Sequence, residues 1–299
     1  MNLFRICYFV LRIFASDHLE AFHLRTQYMA LKNKVALILG GIKGIGRNIG
    51  LDLARAGTRV ALTYYDWEES LDEMRQCFKD TGQPHLIRKI NLLETEEVGS
   101  LIRDVVDRFG RLDILINNIE RGGMPVVHGP YIESQWDLEL ATTLRAKWWV
   151  FDRALPHLKA SGDGAVVNLS SIAGIVGRSG PASLIFNDGY AAANRGISLL
   201  TETWARLGAP EVRVNEIMLC IFETRHGEGT RGWDLLNEAQ RQAVIDHTLL
   251  ERTGRLEDAT RAVCFILEQA PFMTGGVLRL DGGYVPGADK VGPMPKGVL

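Results

Sequence analysis

The sequence predicts a single α/β domain in which a parallel sheet is covered on both faces by helices. Three observations carry that prediction. Short apolar runs alternate with amphipathic stretches from Val35 onward. The first apolar run ends in a glycine-rich turn, Gly40-Gly41-Ile42-Lys43-Gly44-Ile45-Gly46, that opens a helical pattern. No Pro/Ser linker or shift in composition divides the 299 residues. The domain is therefore expected to span 31–285, between an N-terminal extension (1–30) and a C-terminal tail (286–299).

Val35–Leu39 reads V-A-L-I-L between a lysine and two glycines, which suits a strand buried on both faces. Ile49, Leu53 and Ala56 then recur at helical spacing until Gly57, so the unit reads strand, turn, helix. Such a turn can cradle phosphates. Gly40, Gly44 and Gly46 lack Cβ atoms and let a diphosphate approach the backbone, and the free N–H groups of the helix start bring positive dipole to it. A second strand follows at 59–63. Further strands are expected at 86–90, 114–116, 165–169, 212–217 and Val277–Leu280. Helices are expected at 47–56, 68–79, Thr95–Phe109, 134–158, 189–207 and 257–267. Right-handed crossovers would gather ligands at the carboxyl ends of the strands.

The composition excludes several functions. A hydrophobic content of 46% supports a large core, and a formal charge of −2 gives none of the basic excess that nucleic acid requires. Cys7, Cys77, Cys220 and Cys264 show no paired spacing, which argues against a disulfide framework or a metal site and for a reducing, cytoplasmic compartment. The apolar stretch 3–14 is cut by Arg5 and Arg12 and falls short of the roughly 20 residues of a membrane span. The basic, aromatic character of that stretch would suit an organelle targeting peptide or a surface-lying helix, but Met29 precedes A-L-K-N-K-V-A-L, a natural beginning for the domain, so the extension is expected to arise from an upstream start codon.

Several motifs in order resemble the short-chain dehydrogenase/reductase family: Gly40-x3-Gly44-Ile45-Gly46, Leu112-Asp113-Ile114-Leu115-Ile116-Asn117-Asn118, Val167-Asn168-Leu169-Ser170-Ser171 with Tyr190, Arg213-Val214-Asn215, Thr274-Gly275 and Asp281-Gly282-Gly283. The resemblance implies a doubly wound, seven-stranded Rossmann-type sheet, an NAD(H) or NADP(H) cofactor, and redox chemistry at a carbonyl or alcohol carbon. It implies cofactor contacts at Gly40, Lys43, Gly44, Ile45, Gly46, Tyr64, Asn91, Leu92, Asn117, Asn118, Tyr190, Asn194 and Thr224. Tyr64 stands where NAD(H) users carry an acid for the ribose, with Asp66 two residues on, and Lys43 stands where NADPH users carry a base for the 2′-phosphate. NADP(H) is therefore favoured, with NAD(H) open. Asn91 replaces the aspartate that the family offers to the adenine.

The resemblance also assigns the catalytic positions. Ser171 and Tyr190 match the family's serine and tyrosine, but Asn194 replaces its lysine and Thr143 its asparagine. A tyrosine of ordinary pKa, about 10, is ionised in only about one molecule in a thousand at pH 7, a poor base but a competent acid. The departure favours reduction over oxidation. Lys147, one turn beyond Thr143, is a candidate replacement cation, with Arg121 and Arg195 also near these motifs. Leu39, Ile119-Glu120 and Leu219-Cys220 depart from the family's threonine, alanine–glycine and proline–glycine. The interval from Ser171 to Tyr190 is longer than in relatives and carries Gly174, Gly177, Gly180 and Gly189, so it is expected to be mobile or tightly turned. The stretch 222–236 occupies the substrate lid, with Phe222, Arg225, His226, Arg231 and Trp233. Trp148, Trp149, Phe151, Leu199, Leu200 and Trp204 lie on the two helices by which relatives pair, implying a homodimer or homotetramer. The expected activity is NAD(P)(H)-dependent reduction of a carbonyl or activated double bond of a small molecule, with Tyr190 as proton donor. The alternative is a catalytically impaired protein that binds the cofactor as a sensor or scaffold.

Overall fold

The computed structural model describes residues 31–119, 133–222, 224, 233, 236–287, 289, 291–294 and 297. One parallel sheet forms from β1 (Val35–Leu39), β2 (Arg59–Tyr64), β3 (His85–Lys89), β4 (Ile114–Asn117), β5 (Gly164–Ser171), β6 (Val212–Leu219) and β7 (Val277–Leu280), in the order β3-β2-β1-β4-β5-β6-β7. The order reverses between β1 and β4, so a crevice opens beyond their carboxyl ends. All seven expected strands are present, and the doubly wound topology is the one expected.

Helices cover both faces. On one side lie α1 (Gly44–Arg55), α2 (Leu71–Asp80) and, near the end of the chain, α9 (Leu256–Cys264), which bury Ile49, Leu53, Met74, Phe78, Ala259 and Val263 against Ile38 and Ile116. On the other lie α3 (Thr95–Phe109), α5 (Ala146–Ala160) and α7 (Asp188–Gly208). α3 shows why its boundaries were readable. Val98, Leu101, Ile102, Val105 and Phe109 make one buried stripe, and Gly110 ends the helix in the left-handed region at φ 80. Each such side chain contributes about 1.5–3 kcal/mol on burial.

The helix expected at 134–158 is in three parts: α4 (Glu133–Leu140), a π-helical turn (Ala141–Arg145) and α5. The π turn carries Thr143, and apolar periodicity does not register its wider hydrogen bonding. β5 and β6 run two residues past their expected ends, because Ser170 and Ser171 remain in register with Met218 and Leu219. The long interval between Ser171 and Tyr190 is tightly turned. It holds the short helix α6 (Ala173–Val176) and a 3₁₀ turn (Pro181–Leu184) that is pinned where the Ala182 N–H donates to the Tyr284 hydroxyl at 2.8 Å. α8 (Glu238–His247) packs beneath it, with the His247 ring edge-on to Tyr284.

Two of the motifs have structural duties. The Asn215 amide donates to the Met273 carbonyl at 2.8 Å and accepts from the Gly276 N–H at 3.1 Å, which ties β6 to the turn before β7. Asp281 accepts from the N–H groups of Gly283 and Val285. Of the aromatic residues on the long helices, Phe151 and Trp204 stack face to face inside, at 4.3 Å, while Trp148 and Leu199 face outward. The extension, residues 1–30, lies outside the described residues.

Candidate active site

The site begins where β1 ends. Gly40 adopts φ 68, its N–H donates to Thr63 Oγ1 at 3.2 Å, and the Gly41 N–H donates to the Thr63 carbonyl at 2.8 Å. The Asn118 amide donates to the Gly40 carbonyl at 3.0 Å, so the turn is clamped between β2 and the end of β4. Gly46 completes the clamp, since a Cβ there would lie 2.2 Å from the Gly40 oxygen. α1 starts at Gly44, after an extended Lys43, and has no acidic residue in its first turn to offset its positive end.

A cleft of about 350 Å³ follows the carboxyl edge of the sheet. Of the residues expected from the sequence, Gly40, Lys43, Gly44, Ile45, Tyr64, Asn91, Leu92, Asn118, Tyr190 and Thr224 line it. Lys43 Nζ sits 3.1 Å above the centre of the Trp67 ring, a cation–π contact that holds the ammonium at the cleft wall. Asn91 Oδ1 accepts from the Leu93 N–H at 3.1 Å. Leu219 and Cys220 close the far end, and burial pushes the Cys220 thiol up to about 12. That thiol is protonated and chemically quiet at neutral pH.

Tyr190 owes its position to a helix cap. Asn187 precedes α7 and its Oδ1 accepts the Tyr190 N–H at 2.7 Å, which fixes the first turn. The Tyr190 ring stacks on Phe186 with centroids 6.1 Å apart and forms part of the cleft wall.

Five expected residues stand behind the wall. Gly46 is used in the clamp. The Asn117 amide donates to Asn168 Oδ1 at 2.7 Å, and Asn168 in turn donates to Thr201, a buried chain from β4 to α7. Ser171 Oγ accepts from the Ala173 N–H at 3.1 Å. Asn194 Nδ2 donates to the Tyr190 carbonyl at 2.9 Å, while its Oδ1 is buried with no hydrogen-bond partner among the described residues. Thr143 donates to Glu139 Oε1 at 3.0 Å. Lys147 is 1% exposed, and its Nζ donates to the Leu169 carbonyl at 2.7 Å. Glu120, Arg121, Arg225, His226 and Arg231 lie outside the described residues. Phe222 and Trp233 of the lid stretch are buried.

Sequence reasoning passed over Trp67, Ser170 and Glu216. Glu216 carried a signal. In V-R-V-N-E-I-M-L strand alternation puts it on one face with Val214 and Met218, a carboxylate among apolar neighbours. It is fully buried, Ser170 donates to its Oε1, and Ser198 donates to the same oxygen at 3.1 Å.

These residues fit a dinucleotide. The clamp leaves no room for a Cβ at Gly40 or Gly46, and the positive end of α1 faces a cleft with a cation at its rim. A family model described as enoyl-(acyl carrier protein) reductase matches residues 40–285. The chain belongs to the short-chain dehydrogenase/reductase family. It is 30% identical over 254 residues to the 3-oxoacyl-[acyl-carrier-protein] reductase FabG of Staphylococcus aureus strain Mu50, a match covering 84% of this chain and 97% of that protein. The FabG of Thermotoga maritima is 29% identical over 263 residues, covering 86% of this chain and all (100%) of that one. A solved structure from Sinorhizobium meliloti 1021, assigned as a short-chain alcohol dehydrogenase, superposes with a TM-score of 0.76 at 27% identity, covering 87% of this chain and 99% of that one. Family membership makes NAD(P)-dependent oxidoreduction the broad activity of the cleft. Among the described residues, no cluster of three metal-ligating side chains occurs and no helix is long and apolar enough to cross a membrane.

Proposed function

We propose that this short-chain dehydrogenase/reductase is an NADP(H)-preferring reductase of a carbonyl, or an activated double bond, in a small molecule, with Tyr190 as the proton donor. The observation that carries this reading is that the Tyr190 ring shares one cleft with the glycine turn and Lys43. When bound, the nicotinamide would supply the hydride. Tyr190 gives its phenolic proton to the substrate oxygen, a step that needs the protonated form and so tolerates Asn194 in place of an ammonium. Ser171, next to Ser170 of the wall, would hold that oxygen once the substrate opens the wall in front of it, since its Oγ accepts from Ala173 and keeps its own proton to donate. Lys43, beside Tyr64 rather than an acid, receives the 2′-phosphate.

The outward faces of Trp148 and Leu199 support pairing of two copies along α5 and α7. The free thiols of Cys77, Cys220 and Cys264 support a cytoplasmic setting.

The test is loss of nicotinamide absorbance with a 3-oxoacyl thioester, the substrate class in the relatives' names, using NADPH and NADH in parallel. Turnover that prefers NADPH supports the proposal. Asn194 favours a second reading, a cofactor-binding sensor or scaffold. Saturable binding without turnover on any carbonyl or enoyl substrate would select it.

A further inference from the structure

Two polar stripes face each other across the interface between the sheet and the helices above it. Glu139, Thr143 and Lys147, four residues apart in sequence, are all buried. On α7, Tyr190, Asn194 and Ser198 recur at the same spacing and share a face. Below them β6 contributes Glu216, whose Oε1 accepts from both Ser170 and Ser198 and whose Oε2 is buried without a hydrogen-bond partner among the described residues. Leu169, whose carbonyl takes the Lys147 ammonium, and Ser170 both belong to the cleft wall. One hydroxyl therefore separates a buried carboxyl from the cleft in which Tyr190 stands. A serine hydroxyl both donates and accepts, so it can pass a proton along.

We propose that Glu216 is the proton reservoir of this cleft, exchanging its proton through the Ser170 hydroxyl, with Lys147 holding the β5 strand end against it. The route stands where Asn194 has removed the family's ammonium, and its use in turnover rests on the reduction proposed above. After Tyr190 has given its proton to the substrate oxygen, the Ser170 hydroxyl turns from Glu216 Oε1 toward the cleft, the carboxyl turns its O–H to face Ser170, and that O–H bond breaks as its proton goes to Ser170 Oγ. Ser170 releases its own proton into the cleft, where the Tyr190 phenolate takes it. Glu216 is left as a carboxylate, Ser170 is unchanged, and the carboxylate recovers a proton from solvent by the reverse path. No electrons move in this relay.

The charged groups facing Glu216 are Lys147 from α5 and Arg195 from α7, and its register partners on β5 and β7 are the neutral Asn168 and Val277. Burial holds its carboxyl above the usual carboxylate range, against the lowering pull of Ser170, Ser198 and those two cations.

The experiment is infrared difference spectroscopy of the purified chain, without substrate, following the C=O stretch of protonated carboxyl groups as pH is raised. A band that titrates above the ordinary glutamate range, vanishes in Glu216→Gln and shifts when NADPH is added supports the reservoir. In Ser170→Ala, which keeps Glu216, the band should titrate higher still and exchange with deuterium more slowly. Should Glu216→Gln not fold, displacement of the band in Glu216→Asp makes the assignment. Absence of the band, or exchange in Ser170→Ala at the wild-type rate, overturns the proposal. The activity reading fails separately: a correct band in a chain that reduces nothing would discard the proposed function and keep the reservoir, and turnover without the band would do the opposite.

Discussion

The glycine turn, proposed to hold the cofactor, and the wall around Tyr190, proposed to carry the chemistry, are built on different principles. Around Gly40 and Gly46 the backbone itself leaves no space, and an added Cβ would stand 2.8 Å from the Asn118 carbonyl or 2.2 Å from the Gly40 carbonyl. Such a site admits almost no substitution, and its glycines are all in place. Around Tyr190 side chains make the hydrogen bonds, to one another and to backbone groups. There Thr143 and Asn194 are buried polar groups, and Glu139, Lys147 and Glu216 bring three buried ionisable side chains to the same layer. Steric closure keeps the cradle constant, whereas a buried polar layer can exchange members as long as its donors and acceptors find partners.

That contrast can be broken or sharpened by substitution. On the catalytic side, Tyr190→Phe should lower turnover about 10²–10⁴-fold and leave NADPH binding intact; undiminished turnover, measured by nicotinamide absorbance, would remove Tyr190 from the chemistry. On the cofactor side, Gly46→Ala should cost about 1–3 kcal/mol or more of stability and abolish NADPH binding together, since the clash is with backbone. A urea midpoint near that of the wild type would show that the clamp gives way. Lys147→Met should lower stability by about 1.5–3 kcal/mol through loss of a buried charged hydrogen bond to Leu169; no change would mean that the ammonium reaches water.

Glu216 makes a pH-dependent prediction. Its folded pKa lies above its unfolded value, so its stabilising contribution is complete below the ordinary glutamate range and fades as pH rises through the folded value. Wild type should lose stability relative to Glu216→Gln across that window, and urea midpoints that stay parallel would contradict it. The smallest expected effect is at the rim: Lys43→Glu should weaken NADPH about tenfold, near 1.4 kcal/mol, and leave NADH nearly unchanged.

Legibility in the sequence followed the same division. V-A-L-I-L declared a fully buried strand, α3 matched its expected ends because stripe and terminal glycine agree, and the glycines declared the tight turn between β1 and α1. Neighbouring residues determine all three. The π turn at Thr143 left no periodic trace, and polar Ser170 and Ser171 looked like the end of a strand whose pairing in fact continues. The bond between Ser170 and Glu216 joins residues 46 apart, and the one that pins Ala182 to Tyr284 joins residues 102 apart. Composition marks lysine for the surface, yet Lys147 is interior, its ammonium held by the Leu169 carbonyl.

The most direct test of the account is a fluorescence titration of the purified chain with NADPH and with NADH, following the rise in nicotinamide emission. Saturable binding of both is expected, tighter for NADPH, with the preference lost in Lys43→Glu. Binding of neither cofactor would contradict it, because a clamp closed around Gly40 and Gly46 would then be holding only itself.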